Sequence, residues 1–216
     1  MKTDAVKPYY AVLQKKKVAL FCKRLFDIIV SFIMLVILSP FFLILAIAIK
    51  LDSKGPVFYR QVRVTRYGKE FRIHKFRSMV VDADKGSLVT VDGDKRVTKV
   101  GKFIRKYRLD EISQLIDILE GNMTFVGTRP EVPKYVAAYT DEMKATLLLR
   151  AGVTSTASIC YKDEAELLTD AINADEVYIQ KILPEKMKYN LENLEQYSFW
   201  RDIVTMLKTI TAVIKG

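Results

Sequence analysis

The chain has 216 residues, 50% of them hydrophobic, and carries a formal net charge of +10 at pH 7. This length supports one domain with a sizeable core, and the positive charge calls for an anionic partner such as nucleic acid, a lipid headgroup or a phosphorylated substrate. Two cysteines, Cys22 and Cys160, exclude a disulfide framework and are expected as packed thiols, while one histidine, His74, excludes a multi-histidine zinc site and is expected to be structural.

Residues 1–24 form a basic arm in which lysine and arginine are mixed with large apolar side chains. The basic residues are Lys2, Lys7, Lys15, Lys16, Lys17, Lys23 and Arg24. This pattern is typical of an amphipathic segment that lies on an anionic membrane surface. The arm lacks the small-residue cleavage site of a signal peptide, and the apolar stretch that follows it is too long for one.

The apolar stretch, residues 28–49, is interrupted only by Ser31, Ser39 and Pro40. About 20 apolar residues suffice to cross a bilayer, so a transmembrane span is one interpretation. Pro40 removes a backbone donor and bends the helix in mid-run, and basic residues stand on both sides of the run, as they do when both ends face the cytoplasm. A re-entrant helix, broken at Ser39 and Pro40 and dipping into one leaflet, is an equal alternative.

Residues 57–64 and 71–76 are predicted to form two short strands around a turn at residues 66–69. This hairpin carries five cations, Arg60, Arg63, Arg72, Lys75 and Arg77, interleaved with aromatic side chains. The pattern also suits a nucleic-acid surface. Because the hairpin lies only a few residues past a membrane segment, where lipid phosphate is nearer, we predict no nucleic-acid partner.

A polar, exposed loop is expected at residues 82–95 and a basic helix at residues 97–107. Two adjacent carboxylates, Asp110 and Glu111, then fall in the first turn of a helix whose apolar side carries Leu109, Ile112, Ile116 and Leu119. Acids in a first turn commonly do no more than complement the helix dipole. That structural interpretation stays open beside a catalytic one.

The remainder of the chain is predicted to alternate short strands and helices. The helix that carries the carboxylates ends at Gly121 and Asn122; a short apolar segment, residues 123–126, and a turn with Arg129 follow. Residues 132–150 suggest an amphipathic helix, residues 153–161 a strand, residues 162–175 a solvated acidic segment, and residues 178–183 and 184–197 two helical pieces. The final helix has an apolar stripe that suits core packing and a membrane interface equally.

The cations near the carboxylates indicate a chemistry. Lys75 and Arg77 lie on the hairpin, Arg105 and Arg108 precede the carboxylates, and Arg129 follows them. A carboxylate attacks an anionic phosphate only where charge is neutralised, and arginine forks or a divalent ion neutralise it. An aspartate nucleophile then forms an acyl phosphate. Any one of these arginines, taken singly, is more typical of a solvated surface cation.

An ordered set of motifs from about residue 20 to residue 160 resembles the small monotopic phosphoglycosyl transferases, the bacterial sugar transferases that begin glycan assembly on a polyprenol carrier. The motifs are Lys23-Arg24 with Asp27, Ser39-Pro40 in an apolar run, Gly55-Pro56-Val57 with Arg60-Gln61 and Arg63, Lys75-Phe76-Arg77-Ser78-Met79, Leu109-Asp110-Glu111 with Gln114-Leu115, and Gly121 to Pro130.

The resemblance implies an α+β, mostly helical fold at the bacterial inner membrane. Residues 1–51 would be the basic arm and a re-entrant helix broken at Ser39 and Pro40, held by inner-leaflet phospholipid. Residues 52–216 would be a compact cytoplasmic catalytic domain with a small β-hairpin and amphipathic interfacial helices. The active site would face the cytoplasm at the membrane surface, and a homo-oligomer stays open.

The resemblance also implies a reaction. A sugar-1-phosphate passes from a UDP-sugar to polyprenol (undecaprenyl) phosphate, with release of UMP, a covalent aspartyl-phosphosugar intermediate and a requirement for Mg²⁺. By matched position, Asp110 is the nucleophile, and Glu111 is its partner in metal binding or in deprotonating the acceptor phosphate. The same two carboxylates are the metal ligands. The phosphate-binding cations are Lys75, Arg105 and Arg129, with Arg77 as a further candidate.

Several positions depart from the family pattern. Thr128 replaces the first proline of Gly-Pro-Arg-Pro, Ser113 replaces a proline after the carboxylates, and Arg108 stands where a small hydroxyl residue is common. Residues 151–157 differ from the family's usual segment, which weakens any prediction of the sugar. A different class of function also stays open: a non-enzymatic membrane-anchored adaptor whose basic surface binds anionic lipid or a partner protein, which would tolerate loss of Asp110 and Glu111.

Overall fold

The computed structural model describes residues 3–81, 83, 94, 96–162 and 174–215, with only the backbone described for residues 213–215. The fold is α+β and mostly helical. Its helices are α1 Lys7–Gln14, α2 Lys17–Asp52, α3 Lys99–Lys106, α4 Gln114–Leu119, α5 Pro133–Val136, α6 Thr156–Cys160, α7 Ala174–Val177, α8 Leu183–Glu195 and α9 Phe199–Lys215. Its strands are β1 Phe58–Tyr59, β2 Val62–Val64, β3 Glu70–Arg72, β4 Lys75–Phe76, β5 Met123–Val126 and β6 Ala151–Thr154.

Helix α2 is the longest element, with 36 residues, and is long and apolar enough to cross a membrane. At 1.5 Å per residue it measures about 54 Å. The helix continues through Ser39 and Pro40, so the expected break does not appear as an interruption of the helical segment. A bend without an interruption, and the re-entrant path with it, stay predictions.

One face of α2 packs on the rest of the protein along most of its length. Near the start Lys23 and Asp27 are buried, in the middle Leu38 joins a core with Ile73 and Ile118, and near the end Ile49 packs with Phe76 and Ile104. The other face is apolar and exposed, and it includes Ile29, Phe32, Ile33, Val36, Ile37, Leu43, Ile44 and Ile47. The two ends of the helix therefore contact the same body.

The start of α2 is fixed by buried charge. Lys23 Nζ donates to the carbonyl oxygen of Val126 at 2.9 Å and to Asp202 Oδ2 at 2.5 Å, which joins α2 to β5 and α9. Asp27 accepts from the Thr124 hydroxyl at 2.5 Å. Because each buried charge meets an opposite charge or a hydrogen bond, the cost of desolvating it is offset.

The predicted hairpin forms in two pieces. Strand β1 pairs antiparallel with β4, and β2 pairs antiparallel with β3, with Phe58 opposite Phe76 and Val62 opposite Arg72. The turn between β2 and β3 holds Tyr67 at a φ of 60°. The hairpin positions Lys75 beside the carboxylates.

Strands β5 and β6 form a parallel pair, in which Met123 lies opposite Ala151 and Val126 opposite Thr154. Just past this pairing, the backbones at Gly127 and Gly152 approach so closely that a Cβ on Gly152 would lie 2.2 Å from the Gly127 nitrogen. Only glycine fits there. This contact fixes the turn that leads into Arg129.

Four sequence-based predictions need correction. Residues 132–150 are not one helix but the short α5 followed by a 3₁₀ segment, Met143–Leu148, and residues 153–161 form the end of β6 and then α6. Both cysteines are exposed rather than packed. In the N-terminal arm, Tyr9 and Leu13 are buried in a core with Leu148, Leu194 and Tyr197. The expected loop at residues 82–95 and the acidic segment at 162–175 lie almost wholly outside the described residues.

Candidate active site

Asp110 and Glu111 lie in a 3₁₀ turn, Leu109–Glu111, between α3 and α4 rather than in the first turn of an α-helix. Arg108 enters this turn in the left-handed region, with a φ of 53°. The Ser113 hydroxyl is buried and hydrogen-bonds the carbonyl oxygens of His74, at 3.0 Å, and Asp110, at 3.2 Å. The turn is thereby tied to the hairpin, so the two carboxylates have a fixed position relative to Lys75.

Glu111 is held by two cations. Lys75 Nζ donates to Glu111 Oε1 at 3.1 Å, and the Arg129 guanidinium makes two hydrogen bonds to the same carboxylate, one of them at 3.2 Å. Asp110 Oδ2 lies 3.8 Å from Lys75 Nζ, an ion pair without a direct hydrogen bond. The structure therefore brings Lys75, Arg129, Asp110 and Glu111 together, as the sequence predicted.

The two neighbouring carboxyl groups have opposite electrostatic environments. Burial raises the pKa of Asp110, Lys75 opposes that rise, and the adjacent charge of Glu111 adds to it. Burial also acts to raise the pKa of Glu111, but Arg129 and Lys75 outweigh it and hold this pKa well below the usual range. When two carboxyl groups are this close, their protons are shared unequally. Glu111 is therefore the more readily ionised member, and Asp110 is the one whose charge is less fully compensated.

Arg105 is the third predicted phosphate cation, and it reaches the site from α3. Thr98 caps this helix by accepting from the Gly101 nitrogen at 3.0 Å. A Cβ on Gly101 would lie 1.9 Å from the Ser78 carbonyl oxygen, so glycine lets α3 approach the strand region closely. Arg105 Nε donates to Ser78 Oγ at 3.0 Å and lines the same cavity as Asp110.

Arg77 lines the same cavity as Asp110, but its guanidinium is bound away from the carboxyl pair, and its role as a phosphate ligand stays a prediction. Its guanidinium donates to the carbonyl oxygens of Ser53 and Lys54, each at 2.7 Å, at the end of α2. Glycine at position 55 leaves space for the Arg77 guanidinium, since a Cβ there would lie 1.9 Å from Arg77 Nη1. Arg77 therefore caps the carbonyl end of α2, where a cation is favoured.

His74 is structural, as predicted, and it belongs to a buried network that sequence reasoning missed. Asp117 accepts from the His74 backbone nitrogen at 2.8 Å and contacts His74 Nδ1 at 2.9 Å. Arg60 Nη1 lies 2.6 Å from His74 Nε2, so both ring nitrogens are engaged. Glu120 is near enough to suggest a metal cluster with His74 and Asp117, but the Arg60 charge beside the ring disfavours a cation there. The network ties the strand region before Lys75 to α4.

The turn that carries Arg129 is fixed from two sides. The Gly127 nitrogen donates to the Thr154 carbonyl at 2.9 Å, and Arg63 Nη1 donates to the Pro130 carbonyl at 2.9 Å. The next residue, Glu131, is buried and accepts from the Tyr178 hydroxyl at 2.5 Å. Arg129 keeps its place although Thr128 replaces the family's proline, because these hydrogen bonds hold the turn.

Two cavities adjoin the carboxyl pair. The first, which we call the hairpin cavity, has a volume of about 500 Å³; Asp110 and Lys75 line it together with hairpin residues including Tyr59, Arg60 and Arg63. The second, the helix cavity, has a volume of about 540 Å³ and is lined by Glu111, Arg129 and residues of α2, α6 and α9. Arg105 lines both cavities. The pair thus lies where the two spaces meet.

Comparison with known proteins identifies similar chains. The sequence matches the family described as "Bacterial sugar transferase" over residues 18–216. It is 34% identical over 200 residues to a UDP-N-acetylgalactosamine-undecaprenyl-phosphate N-acetylgalactosaminephosphotransferase of Aeromonas hydrophila, covering 91% of this chain and 44% of that protein.

Two further relatives are UDP-glucose:undecaprenyl-phosphate glucose-1-phosphate transferases. The protein of Klebsiella pneumoniae is 35% identical over 193 residues, which cover 87% of this chain and 39% of that protein. The protein of Caulobacter vibrioides is 32% identical over 200 residues, which cover 89% of this chain and 69% of that protein. The chain therefore spans less than half the length of the Aeromonas and Klebsiella relatives.

Proposed function

Because the chain belongs to the bacterial sugar transferase family, we propose that it transfers a sugar-1-phosphate from a UDP-sugar to polyprenol phosphate and releases UMP. The relatives' names give undecaprenyl phosphate as acceptor and UDP-sugars as donors. The product, a polyprenol diphosphate sugar, would be the first membrane-bound intermediate of a glycan such as a capsule, an O-antigen, an exopolysaccharide or a glycoprotein glycan.

The observation that carries this proposal is the unequal carboxyl pair among cations. The Asp110 side chain is partly buried and lies 3.8 Å from Lys75 Nζ without a direct hydrogen bond, while Glu111 binds Lys75 and Arg129. A surface pair that only complements a helix dipole would need neither the burial nor the cations. A partly buried, incompletely compensated carboxylate beside a cavity suits a nucleophile for an anionic phosphate.

In the first step, an oxygen of ionised Asp110 attacks the β-phosphorus of the UDP-sugar. The bond from that phosphorus to the bridging oxygen breaks, and UMP leaves with the electron pair. Lys75, Arg105 and Arg129 would neutralise the phosphate oxygens, which lets one anion approach another. The sugar phosphate is then bound to Asp110 as an acyl phosphate.

In the second step, a phosphate oxygen of polyprenol phosphate attacks the same phosphorus and the Asp110 carboxylate leaves. The resemblance to the family leaves two roles for Glu111, metal binding and proton abstraction, and the surroundings of Glu111 help to choose between them. A carboxylate whose pKa lies far below the usual range is a weak base. We therefore assign Glu111 mainly to the positioning of Lys75 and Arg129.

A divalent cation fits this site. Mg²⁺ is typically bound through one or two carboxylates and substrate phosphates, and Asp110 offers a partly buried carboxylate without a direct hydrogen bond to Lys75. Asp110 is the better ligand, because Glu111 already binds Lys75 and Arg129. Glu111 would be the second carboxylate ligand. When bound, the ion would supply further neutralisation of the phosphate charge.

Membrane attachment without a crossing is the second part of the proposal. The start, middle and end of α2 all contact one body, so a straight crossing would place that body inside the bilayer. A re-entrant or in-plane helix with its outer apolar face in the inner leaflet of the bacterial inner membrane avoids this. Helix α9 adds exposed Trp200, Val204, Leu207 and Ile210 to the apolar surface.

Cysteine labelling in intact cells tests this topology. Cys22 and Cys160 are exposed and must first be replaced by serine. Single cysteines are then placed at Lys16, before α2, and at Lys54, after it, both of which are solvent-accessible in the structure. Labelling of both positions only after the inner membrane is permeabilised supports the re-entrant path. Labelling of the two positions from opposite sides would exclude it.

The activity is tested with purified protein, a panel of UDP-sugars, Mg²⁺ and undecaprenyl phosphate. We expect UMP release with at least one sugar and none above background for Asp110→Asn. A panel that yields no UMP, or full turnover by the variant, would contradict the proposal. A non-enzymatic adaptor would also keep its function in this variant, and the buried, cation-bound carboxyl pair disfavours that alternative.

A further inference from the structure

The hairpin cavity and the helix cavity differ in chemistry. The hairpin cavity combines two cations beside Asp110, Lys75 and Arg105, with three aromatic side chains, Phe58, Tyr59 and Phe76. Cations bind the oxygens of a diphosphate, and an aromatic ring can stack on a nucleotide base. The cavity is also large enough for a small, highly charged organic molecule. Its lining therefore matches a nucleoside diphosphate.

The helix cavity is amphipathic. At one end it is lined by Glu111, Arg129 and Arg108, next to the catalytic pair. The rest of its wall is largely apolar and comes from separate elements: Met34, Leu115, Phe125, Val153, Ile159 and Ala212. Cations at one end and hydrocarbon along the wall complement a phosphomonoester that carries an apolar chain.

The apolar wall of the helix cavity is continuous with the surface proposed to face the membrane. Met34 belongs to α2, whose neighbouring residues Ile33 and Ile37 are exposed, and Ala212 belongs to α9, which exposes Leu207 and Ile210. A lipid that reaches this cavity can keep the rest of its chain among bilayer lipids. A water-soluble donor has no need of such an opening.

We infer that the two substrates occupy separate cavities: the uridine diphosphate part of the donor fills the hairpin cavity, and the first isoprene units of polyprenol phosphate fill the helix cavity. This inference rests on the proposed function and assigns its two substrates. Among the described residues, Arg105 lines both cavities beside the carboxyl pair. It would contact the phosphate of whichever substrate is present.

The chemistry sets a limit on this separation. UMP leaves the phosphorus on the side opposite Asp110, and the acceptor oxygen must then attack from that same side to displace the Asp110 carboxylate. The two phosphates therefore take the reacting position in turn, while uridine and the prenyl chain do not compete for space. Filling the helix cavity should consequently slow the second step and leave the first one intact.

Ala212→Trp tests this by filling the helix cavity, and Ala212→Leu is a milder version. Thr211→Trp is the matched control, because Thr211 is the adjacent residue of α9 and is exposed. Two quantities are measured: UMP released in a single turnover without acceptor, and the KM for undecaprenyl phosphate in steady state. We expect Ala212→Trp to keep UMP release within about twofold and to raise the acceptor KM about tenfold or more, with a smaller rise for Ala212→Leu.

Other outcomes would overturn the inference. Loss of both half-reactions in parallel in both Ala212 variants, an unchanged acceptor KM, or equal effects of Thr211→Trp would each do so. If the Ala212 variants bind lipid vesicles less well but keep their acceptor KM, the cavity holds a bilayer lipid and the inference is wrong. Failure of the proposed function is distinct, because the unmodified protein would then release no UMP from any UDP-sugar.

Discussion

The carboxyl pair and the start of α2 both bury charge, but they treat it differently. At the start of α2, Lys23 meets Asp202 and a backbone carbonyl, and Asp27 meets the Thr124 hydroxyl. At the carboxyl pair, Asp110 is partly buried and lies 3.8 Å from Lys75 Nζ, without the direct hydrogen bond that Asp202 receives from Lys23. The start of α2 therefore pairs its charges through direct hydrogen bonds, whereas the charge of Asp110 is paired only at a longer distance.

This difference allows effects of variants on folding stability to be separated from their effects on catalysis. Where charges are matched internally, removal of one partner leaves the other buried and alone, which costs folding free energy. Where a charge is left uncompensated, its removal spares the fold and costs function. Variants in the two regions should therefore have opposite profiles.

The largest expected effect is that of Asp110→Asn. We expect turnover to fall by about 10⁴-fold or more, since this carboxylate is the proposed site of the covalent bond. The apparent Tm should stay unchanged or rise. The folded-state pKa of Asp110 is raised, so ionised Asp110 costs stability at neutral pH, and that cost disappears as the pH falls below the pKa of the unfolded chain. Asparagine removes the cost at every pH.

Kinetics and thermal unfolding of the same preparation check this prediction. Glu120→Gln is the control, since Glu120 is an exposed acid beyond the end of α4, and it should change neither quantity. A large drop in Tm for Asp110→Asn would mean that Asp110 has a structural role, and the contrast between the two regions would fail.

Lys23→Met should have the reverse profile. Asp202 would be left buried without its cation, at a cost of about 3–5 kcal/mol in the free energy of unfolding. The double variant Lys23→Met with Asp202→Leu should recover most of that cost. Kinetic parameters of the protein that remains folded should stay close to normal.

The pH dependence sharpens this prediction. Burial raises the pKa of Asp202 even though Lys23 opposes the rise, so removal of Lys23 raises it further. A raised pKa favours the folded state when the group is protonated, and the gain is lost as pH rises through the folded-state pKa. Denaturation of Lys23→Met should therefore show higher stability at acidic pH than at neutral pH. A pH-independent loss of stability, or an equal loss for exposed Lys15→Met, would contradict the account.

Glu111→Gln should lower turnover by about 10²-fold, less than Asp110→Asn, because Lys75 and Arg129 lose the carboxylate that positions them. The first step requires ionised Asp110, so its rate rises with pH through the pKa of Asp110. Since the charge of Glu111 contributes to raising that pKa, its removal should move the acidic limb of the pH profile to lower pH. If the acidic limb of the pH profile does not move, the two carboxyl groups are not coupled.

The smallest effect is expected at Arg108. This residue precedes the turn that carries the carboxyl pair and has a φ of 53°. Arg108→Gly should change stability by no more than about 1 kcal/mol, in the stabilising direction, because glycine adopts this conformation freely. Arg108→Val should cost about 1–2 kcal/mol, since a β-branched residue resists it. Unfolding in denaturant compares the two, and a valine variant as stable as the glycine variant would show that the turn is unstrained.

The sequence predicted candidate site residues that the structure brings together, namely Lys75, Arg129, Asp110 and Glu111, while their catalytic roles stay predictions. Asp110 and Glu111 are adjacent, and Lys75, Arg105 and Arg129 stand in motifs with fixed spacing. The role of Arg77 as a phosphate ligand stays a prediction, because charge alone does not reveal whether carbonyl groups take up its donors. Here the carbonyl oxygens of Ser53 and Lys54 do so.

The errors in the fold have a similar cause. Residues 132–150 have a helical pattern, but Pro133 starts only one helical turn before the chain bends, and tertiary contacts of Tyr135 and Tyr139 fix the bend. The partners of Lys23, namely Val126 and Asp202, lie 103 and 179 residues away in sequence. No local pattern indicates a contact at that distance, so the buried network at the start of α2 could not be predicted.

The most direct test of the central claim is intact-mass measurement of the protein incubated with a UDP-sugar and Mg²⁺ but without acceptor. We predict a mass increase of one phosphosugar on the peptide that contains Asp110, one equivalent of UMP, and loss of the adduct when polyprenol phosphate is added. UMP release only in the presence of acceptor, or an adduct that persists in Asp110→Asn, would contradict the claim that Asp110 is the covalent nucleophile.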